Sequence, residues 1–363
     1  MATTELRRQG PTAEVGARSA ASRPARVRRT WWACLALLAV AFAAGVGIGP
    51  AGMPAGRVVL ELLDRLPLVS IDSGLDSRQA AILWDIRLPR VVLALLVGAT
   101  LSVAGGAYQG VFRNPLADPY LLGAAAGAGL GATLVLTLGA GGGWGPFDAL
   151  PAAAFAGALL AVGLTYVIGR AAGRGAAGTT TLILAGVAMA SLFTSVQTYF
   201  QQRADDTVRE VYVWILGGLS TSGWSEVVLI LPWTVLAAVG VLMHGRPLDV
   251  LAVGDEEART LGLHVNRTRL VVVIAASLGT AAAVAVSGLI GFVGIIVPHT
   301  VRLLAGHSYR VILPLTLVAG GAFMVLADLV ARTALSPAEV PIGVITALVG
   351  APFFLALLGR RGM

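Results

Sequence analysis

Long apolar stretches alternate with short polar stretches along almost the whole chain. At about 20 apolar residues for one crossing of a bilayer, this alternation predicts about ten membrane-spanning helices. The eighth stretch is short and begins among glycines, so a count of nine is the alternative. The predicted spans lie near residues 32–52, 89–110, 117–139, 150–169, 180–200, 227–244, 269–288, 291–305, 311–332 and 341–358.

The composition is that of a membrane protein and excludes several classes of enzyme. The 363 residues are 56% hydrophobic and 12% charged, which leaves too little polar surface for a soluble globule. All 26 basic residues are arginine, so a Walker A lysine and a Schiff-base lysine are excluded, and any ATP chemistry needs a partner. The single cysteine, Cys34, excludes a disulfide framework or a cysteine-ligated metal site within one chain.

The arginines are distributed unevenly over this topology. Residues 1–30 are Arg-rich and otherwise mostly small or polar, which predicts a disordered cytoplasmic tail; a secretory signal peptide is the disfavoured alternative. With the N-terminus inside, 18 arginines lie in cytoplasmic segments and 8 outside, as the positive-inside rule requires. We therefore predict a transmembrane domain over residues 31–358, with residues 359–363 also in the cytoplasm.

The fold class predicted from these spans is an all-α integral membrane protein. Ten spans divide into two halves of five, and an odd number of spans per half inverts any internal repeat across the membrane. The sequence contains no convincing repeat. Two inverted five-helix halves are therefore an expectation about the fold.

One polar segment, residues 246–263, interrupts the apolar pattern between the sixth and seventh spans. It is typical of two short cytoplasmic helices broken at Gly254, with acidic residues in the first turn of the second helix and Gly262 at its end. A helix of two turns is not stable alone, so the segment must dock. Its own bundle and a groove of a soluble partner are the two alternatives that the sequence leaves open.

Two smaller patterns concern helix ends and helix faces. Gly123, Gly127 and Gly131 recur every four residues in the third span, which indicates close helix packing. Arg87 and Arg90 lie three residues apart at the outer end of the second span. They are either interfacial arginines or a positive rim for an acidic partner, and the first interpretation is favoured by the sequence alone.

Several short motifs follow one another along the chain: Ile86–Arg90, Asn114–Pro119, Leu184–Ala188, Ala258–Arg259 with Leu261–Leu263, Gly291–Gly294 with Val297–His299, and Glu339–Gly343. In this order and at these spacings they resemble the FecCD-type permeases of bacterial ABC importers for ferric siderophores, haem and cobalamin. The resemblance covers the chain from about residue 31 to residue 358.

The resemblance implies a transport subunit without enzymatic activity in the bacterial cytoplasmic membrane. Two permeases, identical or closely related, would enclose the translocation path, and each would bind an ATPase subunit that carries ATP and Mg. No cofactor would be bound by this chain. A substrate-binding protein outside the membrane would deliver a ferric siderophore, with haem or cobalamin as the alternative substrates.

The resemblance also implies roles for particular residues. Arg87, Arg90 and Arg332 match positions that dock the substrate-binding protein, and Thr179 and Thr180 match the inner gate. The segment between the sixth and seventh spans matches the element that couples the permease to the ATPase. Its residues are Leu248, Leu251, Gly254, Glu257, Ala258, Arg259, Leu261 and Gly262.

Two rival classes of function require features that this chain holds sparsely. An ion-coupled secondary transporter needs carboxylates or broken helices at the bilayer midplane, and Asp328 is the one clear carboxylate within a span. A membrane-embedded enzyme needs clustered histidine, aspartate or cysteine side chains, and the four histidines are scattered.

Overall fold

The computed structural model describes residues 12–49, 52–65, 72–139, 148–172, 178–220 and 223–361. Within these ranges the regular structure is helical, apart from one isolated β-bridge between Leu335 and Ala338. The helices are α1 (Thr12–Gly47), α2 (Ala55–Asp64), α3 (Ser77–Ala81), α4 (Leu88–Phe112), α5 (Ala124–Thr137), α6 (Ala149–Ala172), α7 (Gly178–Gln201), α8 (Val208–Ile215), α9 (Ser225–Leu242), α10 (Gly245–Leu251), α11 (Asp255–Thr260), α12 (Val265–Ser287), α13 (Val293–Ala305), α14 (Tyr309–Thr333) and α15 (Ile342–Arg361).

Ten of these helices occupy the ten predicted spans: α1, α4, α5, α6, α7, α9, α12, α13, α14 and α15. Within the described ranges, seven are long and apolar enough to cross a membrane, whereas α5, α13 and the apolar part of α15 are shorter. α4 lies at the centre, buried along most of its length and packed against α9, α12, α13 and α14. The predicted all-α membrane fold is confirmed.

The lengths of the spans repeat in order between the two halves of the chain. α4, α5 and α6 have 25, 14 and 24 residues, and α12, α13 and α14 have 23, 13 and 25 residues. The repeat therefore pairs these three helices of the first half with the helices five spans later. Five crossings separate the members of a pair, so the paired helices run in opposite directions through the membrane.

The two short helices cross only part of the membrane. At 1.5 Å per residue, α5 and α13 are about 20 Å long, against a hydrocarbon core of about 30 Å. Non-helical chain covers the remaining depth: residues 113–123 precede α5 and residues 288–292 precede α13. We call these the first and second re-entrant segments, since both fold back along α4.

The re-entrant segments meet beside the middle of α4. Gly294, directly after the second segment, packs against Gly105 of α4 and against Pro119 of the first segment. The Tyr120 hydroxyl donates to the carbonyl oxygen of Ile290 at 3.0 Å and accepts from its backbone N–H at 3.1 Å. Irregular backbone is tolerated at this depth because protein surrounds it and pairs its polar groups.

The first thirty residues differ from the prediction where the structure describes them. Residues 1–11 lie outside the described ranges, but α1 is helical from Thr12 onward, in place of the disordered tail expected up to residue 30. Alanine and arginine have high helix propensity, and the apolar span that follows supplies a helix to extend. The Arg26 side chain donates to the carbonyl oxygen of Leu304 at 2.6 Å, which joins α1 to the end of α13.

Candidate functional site

α10 and α11 lie between α9 and α12, and we call residues 244–264 the short-helix segment. Leu248, Leu251 and Ala258 are fully buried. They belong to one apolar core with residues of α4, α12 and α14. Full burial of a leucine side chain contributes about 1.5–3 kcal/mol. One side of the segment is therefore docked on its own bundle, which is the first alternative that the sequence left open.

Two aspartates fasten the short-helix segment to neighbouring spans. Asp249 accepts a hydrogen bond from the backbone N–H of Tyr309, at the first turn of α14, at 2.5 Å. Asp255 accepts two bonds from Arg269 of α12, at 2.7 and 2.8 Å, and lies 3.3 Å from Arg113 at the end of α4. The segment is thus joined to α4, α12 and α14 by polar contacts.

The opposite side of the short-helix segment is exposed. The exposed fractions of Val253 and Leu261 are 67% and 69%, and Glu257, Arg259 and Gly262 lie exposed beside them. Large apolar side chains next to charged ones at the surface are typical of protein-binding sites. The predicted coupling residues therefore divide into a buried anchoring side and an exposed side.

Gly254 joins the two short helices with a positive φ, a backbone conformation that favours glycine. Its φ is +150°, and a β-carbon would lie 1.9 Å from the carboxylate of Glu257. α11 ends with the Gly262 N–H donating to Arg259 and the Leu263 N–H donating to Ala258, both at 2.9 Å. These two bonds are a Schellman motif, which satisfies the last carbonyl groups of the helix.

Arg90 binds two carboxylates at the other end of the bundle, which we call the arginine end. Its Nε donates to Asp328 at 2.9 Å, and its terminal nitrogens donate to Glu339 at 2.8 and 2.9 Å. Asp328 is buried, whereas 44% of the Glu339 side chain is exposed. The hydrogen bonds from Arg90 lower the pKa of Glu339. A bidentate pair of this kind orients both side chains.

Arg87 and Arg332 also lie at the arginine end, against the last turn of α1. Arg87 donates to the carbonyl oxygens of Val46 and Gly47 at 3.0 and 3.4 Å, and Arg332 donates to that of Gly45. Each arginine is only 4% exposed. The last carbonyls of a helix lack intrahelical donors and carry partial negative charge, so cations stabilise them. Arg87 and Arg332, which the resemblance assigns to docking of the substrate-binding protein, are therefore held in buried contacts and not on an open surface.

The glycines predicted to pack helices fall into two kinds. A β-carbon on Gly127 would lie 2.2 Å from the carbonyl oxygen of Gly157, and one on Gly131 would lie 2.1 Å from that of Ala153. These two residues hold α5 close to α6. Gly123 lies before α5 rather than within it and has a φ of +83°, so the turn requires this glycine. The packing role expected for Gly123 is therefore corrected to a role in the turn.

The exposed side of α7 carries hydroxyl side chains from Ser191 onward, beside the exposed Leu192, Val196 and Tyr199. Ser191, Thr194, Ser195 and Thr198 are exposed, while the opposite side packs on α5 and α6. Their spacing of three and four residues places the hydroxyls along one stripe. Those of Ser191, Ser195 and Thr198 donate to the carbonyl oxygen four residues earlier, at 2.8 to 3.0 Å.

The predicted gate residues lie at the beginning of α7. Thr180 is exposed in the first turn of the helix. The side chain of Thr179, and residues 173–177 before the helix, lie outside the described part of the chain. The gate therefore stays a prediction.

A family model described as the FecCD transport family matches residues 37–360. The chain belongs to the FecCD transport family. This match covers the last part of α1, the other membrane-spanning helices, the short-helix segment and both re-entrant segments. The FecCD chain is therefore a permease subunit of an ABC importer, a transport component and not an enzyme.

Named relatives are similar to this FecCD permease over most of its length. The ABC transporter permease YvrB of Bacillus subtilis is 41% identical over 89% of this chain and 91% of its own. The cobalamin import permease BtuC of Halobacterium salinarum is 41% identical over 93% of this chain and 90% of its own. The vitamin B12 import permease BtuC of Escherichia coli is 40% identical over 79% of this chain and 86% of its own.

Two solved structures share the fold of this FecCD permease. One is described as a metal-chelate type ABC transporter in an inward-facing conformation; it has a TM-score of 0.77 and 29% identity, and covers 91% of this chain and 98% of its own. The other is PsaBC from Streptococcus pneumoniae in complex with Fab. It has a TM-score of 0.51 and 15% identity, and covers 74% of this chain and 90% of its own. The second likeness concerns the fold alone.

Sequence reasoning did not identify how the FecCD permease holds its short-helix segment. Asp249 and Asp255 are the fastening residues, yet the sequence indicates only that Asp255 lies in a first turn, where an acidic residue is favourable. Arg113 precedes Asn114 in one of the motifs, which is a signal that this end of α4 has a role. Arg269 contributes to the sequence pattern only as one of the inside charges.

Proposed function

We propose that this permease transports cobalamin, with a ferric siderophore as the second candidate. Relatives named for cobalamin and vitamin B12 support the first substrate, since they are about 40% identical over most of both chains. The structural relative described as a metal-chelate type transporter supports the wider class to which both substrates belong. The siderophore expected from the sequence alone is therefore the lesser candidate.

The observation that carries the proposal is the two-sided short-helix segment. Its exposed side, with Val253, Glu257 and Leu261, binds a groove of a cytoplasmic ATPase. Its buried side is fixed to three central spans through Asp249 and Asp255. A displacement imposed by ATP-driven closure of the ATPase thereby reaches the centre of the bundle, which is what a coupling element must do.

The arrangement proposed for the membrane puts both termini and the short-helix segment in the cytoplasm. The distribution of arginines supports this orientation, because 18 of 26 lie in the N-terminal segment or in segments that the sequence predicts to be cytoplasmic. The arginine end then faces the substrate-binding protein. Arg90 and the exposed Glu339 lie at that end and supply charged groups to a docking surface.

A second copy of the chain completes the translocation path. The stripe of Ser191, Thr194, Ser195 and Thr198 supports a path along α7, because hydroxyl groups facing a water-filled path are favoured over the same groups facing lipid. Two stripes from two copies provide weak and dispersed polar contacts. A large chelate is thus guided without being held tightly.

The test is ATP-dependent uptake of radiolabelled cobalamin by cells with and without this chain. Deletion of the chain is expected to abolish uptake, and the wild-type chain to restore it. Combined Glu257→Arg and Arg259→Glu substitutions are expected to leave the chain in the membrane but to lose copurification of the ATPase. Unchanged cobalamin uptake together with lost uptake of a ferric siderophore would transfer the proposal to the second substrate. Retained ATPase attachment would refute the coupling role.

A further inference from the structure

The Arg-rich first part of α1 has no role in the function proposed above. Between Thr12 and Thr30 the chain holds five arginines and one glutamate. α1 continues unbroken from this part into the membrane-spanning part, so these charges lie on a helix beside the bundle. The hydrogen bond from Arg26 to Leu304 holds that helix against the end of α13.

One side of α1 combines basic and aromatic residues at the point where the helix enters its apolar stretch. Trp32 is 68% exposed, and Arg28 lies exposed one turn earlier. Tryptophan and arginine in this order are typical of a membrane–water boundary, with the indole at headgroup level and the guanidinium toward the phosphates. A shallow open groove follows this side of the helix and is lined by Pro24, Val27, Arg28, Trp31, Trp32 and Leu35.

The charges of Arg28 and Arg29 are not neutralised within the described part of the chain. Both side chains are exposed, and neither has a hydrogen bond or an ion pair with another described residue. Two arginines at this end are engaged: Arg26 binds the end of α13, and Arg302 donates to the Tyr309 hydroxyl at 3.3 Å. Arg246, Arg259, Arg267 and Arg310 are exposed like Arg28 and Arg29, but they lie on other helices, away from the tryptophans of α1. The guanidinium groups of Arg28 and Arg29 are therefore both free to bind an anionic group.

We propose that α1 between Pro24 and Leu35 binds the phosphate groups of anionic phospholipids. Arg28 and Arg29 bind the phosphates, and the indole of Trp32 lies at headgroup level beside them. A lipid fits better than a soluble acidic protein because this side of the helix becomes apolar as it enters the membrane. Each basic residue near an anionic leaflet strengthens binding by about fivefold, so the two together contribute about 25-fold.

The test uses the full chain in phosphatidylcholine micelles, titrated with phosphatidylglycerol while the midpoint of thermal unfolding is followed. For Arg28→Gln with Arg29→Gln, we expect about 25-fold more phosphatidylglycerol to be needed for half of the stabilisation. The matched control, Arg78→Gln with Arg209→Gln, removes two exposed arginines at the other end of the bundle. It should titrate as the wild type does.

Additional variants and ligands distinguish lipid binding from a general effect of charge and from binding of a protein. Arg28→Lys with Arg29→Lys should keep the wild-type titration, since the charge is kept. If the glutamine pair does not fold, each single substitution carries the test with an expected fivefold effect. The proposal is overturned by an equal loss in the control pair or by equal stabilisation from soluble glycerol phosphate. An unchanged lipid titration with loss of the copurifying ATPase would overturn it in favour of a protein partner.

Discussion

The contact between Gly105 of α4 and Gly294 after the second re-entrant segment permits a quantitative test. A β-carbon on Gly105 would lie 2.0 Å from the carbonyl oxygen of Gly294, whereas ordinary contact begins at 3.4 Å, so Gly105→Ala requires a shift of about 1.4 Å. Overpacking of a core costs about 1–3 kcal/mol, and a clash with backbone belongs at the upper end. Alanine regains about 1 kcal/mol of helix propensity. The free energy of unfolding is therefore expected to fall by about 2 kcal/mol.

Gly163→Ala is the matched control for this substitution. Gly163 lies within α6, and a β-carbon there would have nothing within 4 Å, so only the propensity gain of about 1 kcal/mol applies. Gly105→Ala should therefore be less stable than the wild type and Gly163→Ala more stable, and their free energies of unfolding should differ by about 3 kcal/mol. Thermal and denaturant unfolding in detergent measure this difference. A Gly105→Ala protein as stable as the Gly163→Ala protein would refute the close contact.

Three further substitutions test the junction, the arginine end and the short-helix segment. Tyr120→Phe removes both hydrogen bonds to Ile290 and should cost about 1–3 kcal/mol in thermal unfolding, because a buried backbone group loses its partner. Arg90 lowers the pKa of Glu339, so the ion pair stabilises the fold at pH values above the ordinary pKa of a glutamate. This stabilisation is lost as the pH falls through the lowered pKa. Between about pH 6 and pH 3, the wild type should therefore lose more thermal stability than Glu339→Gln. Asp255→Asn weakens the hold on two arginines and should lower uptake per ATP hydrolysed without detaching the ATPase; unchanged coupling would contradict this.

The order and approximate limits of the spans could be predicted from the sequence because each apolar run is bounded by charges or turn residues. The shortness of α5 and α13 could not. Residues 120–123 and 288–292 continue the apolar runs of the helices that follow them, and hydropathy does not distinguish buried irregular backbone from helix. The count of spans predicts inverted halves, but the sequence shows no repeat, because many different apolar residues are equally suited to face lipid. The repeat is seen in the lengths of the helices.

The candidate sites were predicted unevenly for a physical reason. Spacing identifies the side of a helix on which a residue lies, so the α5 glycines and the short-helix segment were recognised. It does not identify the partner. Arg87 and Arg332 are buried because the end of α1 needs donors for its carbonyl groups, and that helix end lies about 40 residues before Arg87 and far from Arg332 in sequence.

The junction of the re-entrant segments has an electrical consequence. α5 and α13 both begin there, deep in the bundle, and the first turn of each helix carries a partial positive charge. Half-helices whose positive ends lie inside a membrane repel protons and metal cations. Two positive helix ends therefore lie inside this subunit, where they oppose entry of a proton or a metal cation into its interior.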